Sequence, residues 1–394
     1  MTDTQQLPAL KYEEPNIGRL SAQLRSLRER GPVTKILTPA GDEAWLITRH
    51  AEMKRLLLDP RLVRTHADPA NGPKYANNPF MERLMGRVAP ADFNAEHARD
   101  RAALNPLFSA RRMMELQPAM EAHVNQALDR MIAKGPPAEL HAELSEPVTF
   151  QVLYNFLGIP ADETERYLGL YRRVADLRDP ENALQGLGDL LTYLADLVAR
   201  KRSVPDDNVI SLLAQAGLPD DELAKLVLML SGGHGTTSSN INMGIVLFAA
   251  NPDQRRLVVD DPSLMPGAVE EVVRMAKTGE SFVPRYAHTD IEIGGVTIKD
   301  GDLVLTDHTF ANYDDLVFDD PEKFDVTRSP NPHLGFSWGS WHCIGTSLAR
   351  IELATAFTGI LNRLPNLALT VTPEEIRSGG HRLASGVEEV PITW

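Results

Sequence analysis

From Asp220 to Ala250 the sequence reads as one long helix, capped by Asp220 and closed by Asn251-Pro252. Leu223, Leu226, Val227, Leu228, Met229 and Leu230 place apolar side chains on nearly every face. A helix that is apolar all round is a buried helix, so the rest of the chain has to wrap it. Its middle reads Ser231-Gly232-Gly233-His234-Gly235-Thr236-Thr237. A glycine inside a helix costs roughly 1 kcal/mol relative to alanine, and the three here about 3 kcal/mol together. Two readings account for them. One is a break, or close packing of helix on helix. The other is a widened, kinked turn against which something flat lies.

The remaining pattern supplies the wrapping. Helical periodicity covers about Ala51 to Leu58, Ala95 to Asn105, Met113 to Ala133, Val148 to Leu157, Asp162 to Ala175 and Leu184 to Arg202. A further helix starts at Asp207 and stops at Gly217, and another runs past Pro266 to Arg274. Strands are few. Thr34 to Leu37 and Ala44 to Thr48 form a hairpin around Pro39, Gly41 and Asp42. Phe282 to Leu305 reads as short strands with turns at Gly294-Gly295 and Asp300-Gly301, and Leu367 to Trp394 as a closing antiparallel pair. The fold class is mainly α with small antiparallel β-sheets. With no linker, repeat or low-complexity segment, 1-394 reads as a single domain. It has a β-rich lobe near 31-50 and 282-306 plus 367-394, and a helical remainder. Residues 64–92 have weak periodicity, and a loop of that length is a lid or a binding loop.

Bulk properties exclude several classes. The net charge is -14, which argues against nucleic acid or an anionic membrane as partner. No run of some 20 apolar residues is present, and the first twenty residues lack a signal-peptide core. The chain is expected to be cytoplasmic. One cysteine rules out an internal disulfide, a Cys-rich zinc site and an all-cysteine iron–sulfur cluster.

That cysteine sits in Phe336-Ser337-Trp338-Gly339-Ser340-Trp341-His342-Cys343-Ile344-Gly345, just ahead of a helical run from Thr346. A helix N-terminus favours the thiolate, which serves as nucleophile, redox thiol or metal ligand. A zinc role with His342 lacks further ligands at a suitable spacing.

In this order along nearly the whole chain, these segments resemble the bacterial, soluble cytochrome P-450 family of haem-thiolate enzymes. Phe336, Gly339, Cys343, Gly345, Ala349 and Glu352 match the family's haem signature. Glu271-x-x-Arg274 matches its buried ion pair, which in the family holds the irregular segment containing Arg328. The resemblance implies a cytochrome P-450 fold with haem between the long central helix and the cysteine-loop helix. It implies Cys343 as axial ligand to the iron of heme b (iron protoporphyrin IX), with His97, Arg101 and Arg285 on the propionates. The signature's usual histidine is replaced by Trp341, which still donates one N–H. His342 is either a replacement donor or a surface residue. At the kink the family's acid has become Gly235, while Thr236 keeps the hydroxyl that steadies dioxygen. Protons then come through water, His234 or the substrate, unless His234 is turned away.

The expected activity is that of a monooxygenase taking dioxygen and the electrons of a separate ferredoxin and ferredoxin reductase. The docking face for that partner would carry Arg99, Arg111, Arg112 and Arg350. The substrate is a small organic molecule, natural product or peptide. The family places the pocket at the 64–92 loop, Leu228, Ser231, Gly232, Ser281, Phe282, Val283, Leu383 and Ala384. The loss of the acid at 235 keeps oxidative cross-linking, peroxide-driven chemistry and a haem-binding sensor as alternatives.

Overall fold

The computed structural model describes residues 7–10, 17–77, 90–176, 178–276, 282–376, 386–387 and 389–394. The chain forms two compact units, one of Met1–Ala98, Val273–Lys323 and Pro330–Cys343, the other of Arg99–Val272, Phe324–Ser329 and Ile344–Trp394.

The first unit is built on a five-stranded sheet. Val33–Leu37 and Glu43–Ile47 pair antiparallel, with Val33 opposite Ile47, around Gly41 at φ +90°. Leu303–Asp307 joins Glu43–Ile47 in parallel, and Phe282–Ala287 and Leu62–Val63 complete the sheet. The parallel pair needs a long crossover, so no local turn signal announces it. Ile291–Ile293 and Val296–Ile298 form a separate hairpin. Its two turn residues, Gly294 and Gly295, take φ +56° and +80°, the left-handed pair that such a tight turn demands. The helix His50–Leu57 buries Met53, Leu56 and Leu57 against Ile47, Val304, Ala311 and Leu334.

Side chains, rather than backbone ladders, fix the irregular stretch after Ala311. Asp314 accepts from Arg49 Nη1 at 2.6 Å and from the His50 N–H at 2.8 Å. Asn312 Oδ1 accepts from the Leu334 N–H at 2.7 Å. Arg274 is fully buried and donates Nη1 to the carbonyls of Asn312 at 2.9 Å and Pro321 at 2.8 Å. Its guanidinium also stands over Phe318, 5.2 Å from the ring centre.

The second unit is helical. Its principal helices include Gln117–Lys134, Glu146–Leu157, Thr164–Ala175, Pro180–Ser203, Asp220–Ser231, Gly233–Ala250 and Thr346–Arg363. The long central helix is therefore two, with Gly232 as the break; its N–H bonds back only three residues, to Met229 O at 3.3 Å. Pro219, not Asp220, occupies the cap position, and Asp220 sits in the first turn where a carboxylate suits the dipole. Met229 is 57 % exposed, so the first of the two helices is not covered on every side. The expected Met113 to Ala133 helix is also divided, into Ala110–Glu115 and Gln117–Lys134. Pro118 lacks the N–H needed to continue a helix and suits the first turn of a new one.

The pattern groups 367–394 with the β-rich lobe, whereas the strands of that segment lie in the second unit. There Pro391–Thr393 pairs with both Ala368–Leu369 and Ala138–Glu139, a partner some 250 residues away that no local pattern shows. Glu271 is fully buried and accepts from Arg328 Nε at 3.1 Å and the Asp325 N–H at 3.1 Å.

Gly233–Ala250 packs closely on Thr346–Arg363. A Cβ on Gly244 would lie 2.3 Å from Phe357 Cζ, and Phe357 meets Phe248 edge-on at 5.4 Å. Gly244→Ala is expected to cost about 1–3 kcal/mol through overpacking. The urea midpoint measures it; an unchanged midpoint would show that the contact yields freely. Among the described residues no helix is long and apolar enough to cross a membrane.

Candidate functional site

The cysteine loop is a tight reversal. The Cys343 N–H donates to Phe336 O at 2.7 Å, closing a turn that contains Ser337 at φ +60° and Gly339 at φ +66°. A side chain at 339 would meet Leu58 Cδ2 at 2.6 Å, so glycine is required there on two counts. Gly339–Trp341 forms a single 3-10 turn. The Cys343 thiol is exposed, and the helix Thr346–Arg363 starts three residues later with Gly345 at its cap. Phe336 lies against His333 and His342, with ring centres 5.9 and 6.4 Å away.

Around Trp341 the first unit gathers cations. The His97 ring stacks on the indole at 4.1 Å and Phe93 at 5.6 Å. Arg285 and Arg64 stand over it at 4.6 and 4.8 Å. Arg285 is 2 % exposed, and its Nε and Nη1 have no hydrogen-bond partner among the described residues; nor has Arg64 Nε. Burial pushes the Arg285 guanidinium down to about 9, with the neighbouring Arg64 charge adding to the effect, and burial pushes Arg64 down to about 10. Two buried guanidiniums beside each other are costly unless an anion faces them. This donor set suits a group bearing carboxylates, and Arg forks are the geometry for it. His97, Arg285 and Trp341 are expected here from the sequence and lie together; Arg64 and Phe93 join them from segments that carry no motif. Arg101 belongs to the second unit, one turn beyond His97 on the helix Pro90–Leu104.

The glycine turn lies in the second unit. Gly233 O accepts two hydroxyls, Thr236 Oγ1 at 3.0 Å and Thr237 Oγ1 at 2.9 Å, while Ser238 Oγ donates to Gly235 O at 3.0 Å. Hydroxyls returned to carbonyls within a helix loosen and bend it. Thr236 is exposed; His234 is buried. A Cβ on Gly232 would come within 3.3 Å of Tyr171 Oη, and Leu228 beside the turn is half-buried. Ser231 Oγ donates to Val227 O at 2.7 Å and meets Tyr167 Oη at 2.5 Å.

His234 Nδ1 lies 2.7 Å from Ser231 O and 3.3 Å from Tyr154 Oη, with the rings of Tyr154 and Tyr171 edge-on at 5.4 and 4.9 Å. A carbonyl only accepts, so Nδ1 carries the proton. Burial holds the ring neutral, pushing its pKa down to about 4. In the unfolded chain an imidazole titrates near 6.5. Its contribution to stability is therefore complete above about 6.5 and is lost as pH falls towards 4. His234→Phe is expected to flatten that limb of a urea-midpoint-against-pH curve; an unchanged slope would refute the neutral buried ring.

Of the expected pocket, Ser281, Leu383 and Ala384 lie outside the described residues, as do residues 78–89 of the long loop. Phe282 and Val283 begin the strand Phe282–Ala287, opposite Asp307 and Thr306.

The family model for cytochrome P-450 matches residues 193–378. Pentalenolactone synthase of Streptomyces exfoliatus is 38 % identical over 99 % of this chain and 100 % of its own. Mycinamicin IV hydroxylase/epoxidase of Micromonospora griseorubida is 33 % identical over 95 % of this chain and 96 % of its own. Among solved structures, substrate-free PimD, described as a polyene macrolide antibiotic pimaricin epoxidase, superposes with a TM-score of 0.92. It is 43 % identical over 99 % of this chain and 100 % of its own. These relatives favour oxygenation over cross-linking, peroxide-driven chemistry or sensing.

Proposed function

The chain belongs to the cytochrome P-450 family and is a monooxygenase with a haem-thiolate cofactor, and from that premise we propose what its own residues do. Cys343 ligates the iron. Arg285, Arg64 and His97, with the Trp341 N–H, bind the two propionates, and Arg101 assists. The observation that carries this reading is the pair of buried guanidiniums with unpartnered nitrogens, stacked on the indole two residues before the only thiol. The resemblance implies heme b, and with the sole cysteine assigned to the iron none is left for thioether attachment. Bound there, the haem supplies the redox chemistry that activates dioxygen, and the thiolate favours O–O cleavage.

The protein's residues orient and gate that chemistry. Trp341 replaces the family's usual histidine, and Arg64 supplies the positive charge lost with it. Thr236 Oγ1 donates to Gly233 O and keeps its lone pairs available to a small polar partner. Glu271 and Arg274 are structural. In the second unit, Leu228 and Gly232 flank the turn that the family uses as a pocket wall. The family resemblance implies that electrons come from a separate ferredoxin and its reductase. Of the arginines proposed to face the partner, Arg350 is held by Glu270 at 2.6 and 2.8 Å, Arg111 lies 3.5 Å from Glu115 and Arg112 donates to Asp207 O, so Arg111 is the most loosely held of the three.

The substrate class is a preassembled natural product. The synthase, hydroxylase/epoxidase and epoxidase above are named for pentalenolactone, mycinamicin IV and pimaricin. A panel of lactone and macrolide natural products, screened for a change in iron spin state, tests it. A shift with members of either group supports the class, and silence across both overturns it.

Arg64→Ala and Arg285→Ala each remove charge-assisted hydrogen bonds worth about 1.5–3 kcal/mol, roughly a 10- to 150-fold loss in haem affinity. Transfer of haem to an apo-acceptor measures it. Retention equal to the unaltered protein would overturn the propionate assignment.

A further inference from the structure

We propose that Glu146 supplies, through a small polar cavity in the second unit, the protonable carboxyl that position 235 lacks. The proposal rests on the monooxygenase reading of the Gly232–Thr236 turn. The cavity measures about 30 Å³, and its walls include Glu146, Arg172, His141, His234, Gly235 and Ser238. That volume holds one or two water molecules, and the lining offers several polar partners. Gly235 and Ser238 are three apart and share one face of the helix Gly233–Ala250, so the cavity opens on the face of that helix that carries position 235.

Glu146 is the first residue of its helix, and its side chain is 12 % exposed. Arg172 grips it with Nη2 at 2.5 Å and Nε at 3.3 Å. Charged or titratable groups face it from each neighbouring element: Arg172 and Tyr171 from the helix Thr164–Ala175, His141 from the turn His141–Ser145, and His234 from the broken helix. Burial raises its pKa, but pairing with Arg172 and the nearby charges outweigh it and leave the carboxyl below its usual range. It is therefore ionised at rest and relays protons rather than storing them.

His234 is not the source. Its one proton is committed to Ser231 O. Tyr171 and Tyr167 are not sources either, since burial drives both phenols upward, Tyr171 to about 12. Glu146 is the carboxyl lining the cavity that touches both solvent and the Gly235 face. The reaction balances as RH + O2 + 2 electrons + 2 H+ giving ROH + H2O. The electrons come from the redox partner, and the two protons pass from solvent to Glu146, then through cavity water to the helix face that carries Gly235 and Ser238.

The test is Glu146→Gln with Arg172 retained. The loaded variant keeps its thiolate-type carbon monoxide spectrum, but product formed per electron falls about tenfold or more, the balance leaving as hydrogen peroxide. Gly235→Asp in the same background restores at least half of the coupling. Unchanged coupling with the spectrum intact overturns the proposal. Absence of that spectrum from the unaltered protein would instead sink the haem-thiolate reading. A high-resolution crystal structure of the unaltered protein gives a readout independent of turnover and of the variant's folding. Ordered water bonded to a Glu146 carboxylate oxygen and reaching Ser238 Oγ or Gly235 O is expected. A dry cavity overturns the proposal even if Glu146→Gln does not fold.

Discussion

Cys343→Ala abolishes the thiolate-type carbon monoxide spectrum and brings substrate oxidation to background. The tight turn should survive, because its closing bond runs from the backbone N–H of residue 343 to Phe336 O and makes no use of sulfur. The cationic cluster on Trp341 also survives, so the variant still takes up porphyrin through its carboxylates, with altered axial coordination. That split separates the two halves of the site: loss of the ligand changes the spectrum, whereas Arg285→Ala weakens retention with the spectrum intact. A thiolate spectrum persisting in Cys343→Ala would mean the ligand assignment is wrong, since the chain has no other thiol.

Glu271→Ala and Arg274→Ala are each expected to destabilise the fold by about 3–5 kcal/mol, the usual result of removing one member of a buried charged network. In Glu271→Ala, Arg328 loses its carboxylate partner and the Asp325 N–H its acceptor. In Arg274→Ala, the carbonyls of Asn312 and Pro321 lose their donor in the interior. The Arg274 change has a second consequence. Asn312 Oδ1 holds the Leu334 N–H, and Leu334 O in turn accepts from Ser337 at 2.8 Å at the start of the cysteine loop. Loosening residues 312–323 therefore loosens that loop, and the variant should lose haem faster as well as unfold at lower urea. Glu271→Gln keeps an acceptor oxygen and should cost less than Glu271→Ala. Equal midpoints for all three variants and the unaltered protein would show that the network carries no stability.

What the sequence made legible was local. The glycines around Ser231 and Thr236 marked an interrupted helix, though not that Gly232 alone would form the break. The cysteine loop was readable because its glycines, aromatic residue and thiol sit within ten residues. Glu271 and Arg274 were readable as a pair on one helix face. Arg328 came with the family resemblance, but Asn312 and Pro321 were not readable, because they contribute carbonyls of irregular backbone that has no period. Arg64 and Trp341 are 277 positions apart, and nothing in Leu62-Val63-Arg64-Thr65 distinguishes that arginine from a solvated one. Glu146 had an equally ordinary local reading, an acid in the first turn of a helix. Only folding brings it to the cavity beside Gly235. The parallel pairing of Glu43–Ile47 with Leu303–Asp307 was hidden for the same reason, since strand pairing across a long crossover leaves no mark in either segment.

The indole at position 341 has one more use. It sits where the macrocycle's acidic edge is assigned, and a tetrapyrrole drains the emission of any nearby tryptophan by resonance transfer. Of the four tryptophans in the chain, Trp341 and its loop neighbour Trp338 should therefore lose their emission on loading. Trp341→Phe would isolate its signal, giving an optical meter of cofactor occupancy that needs neither turnover nor a redox partner.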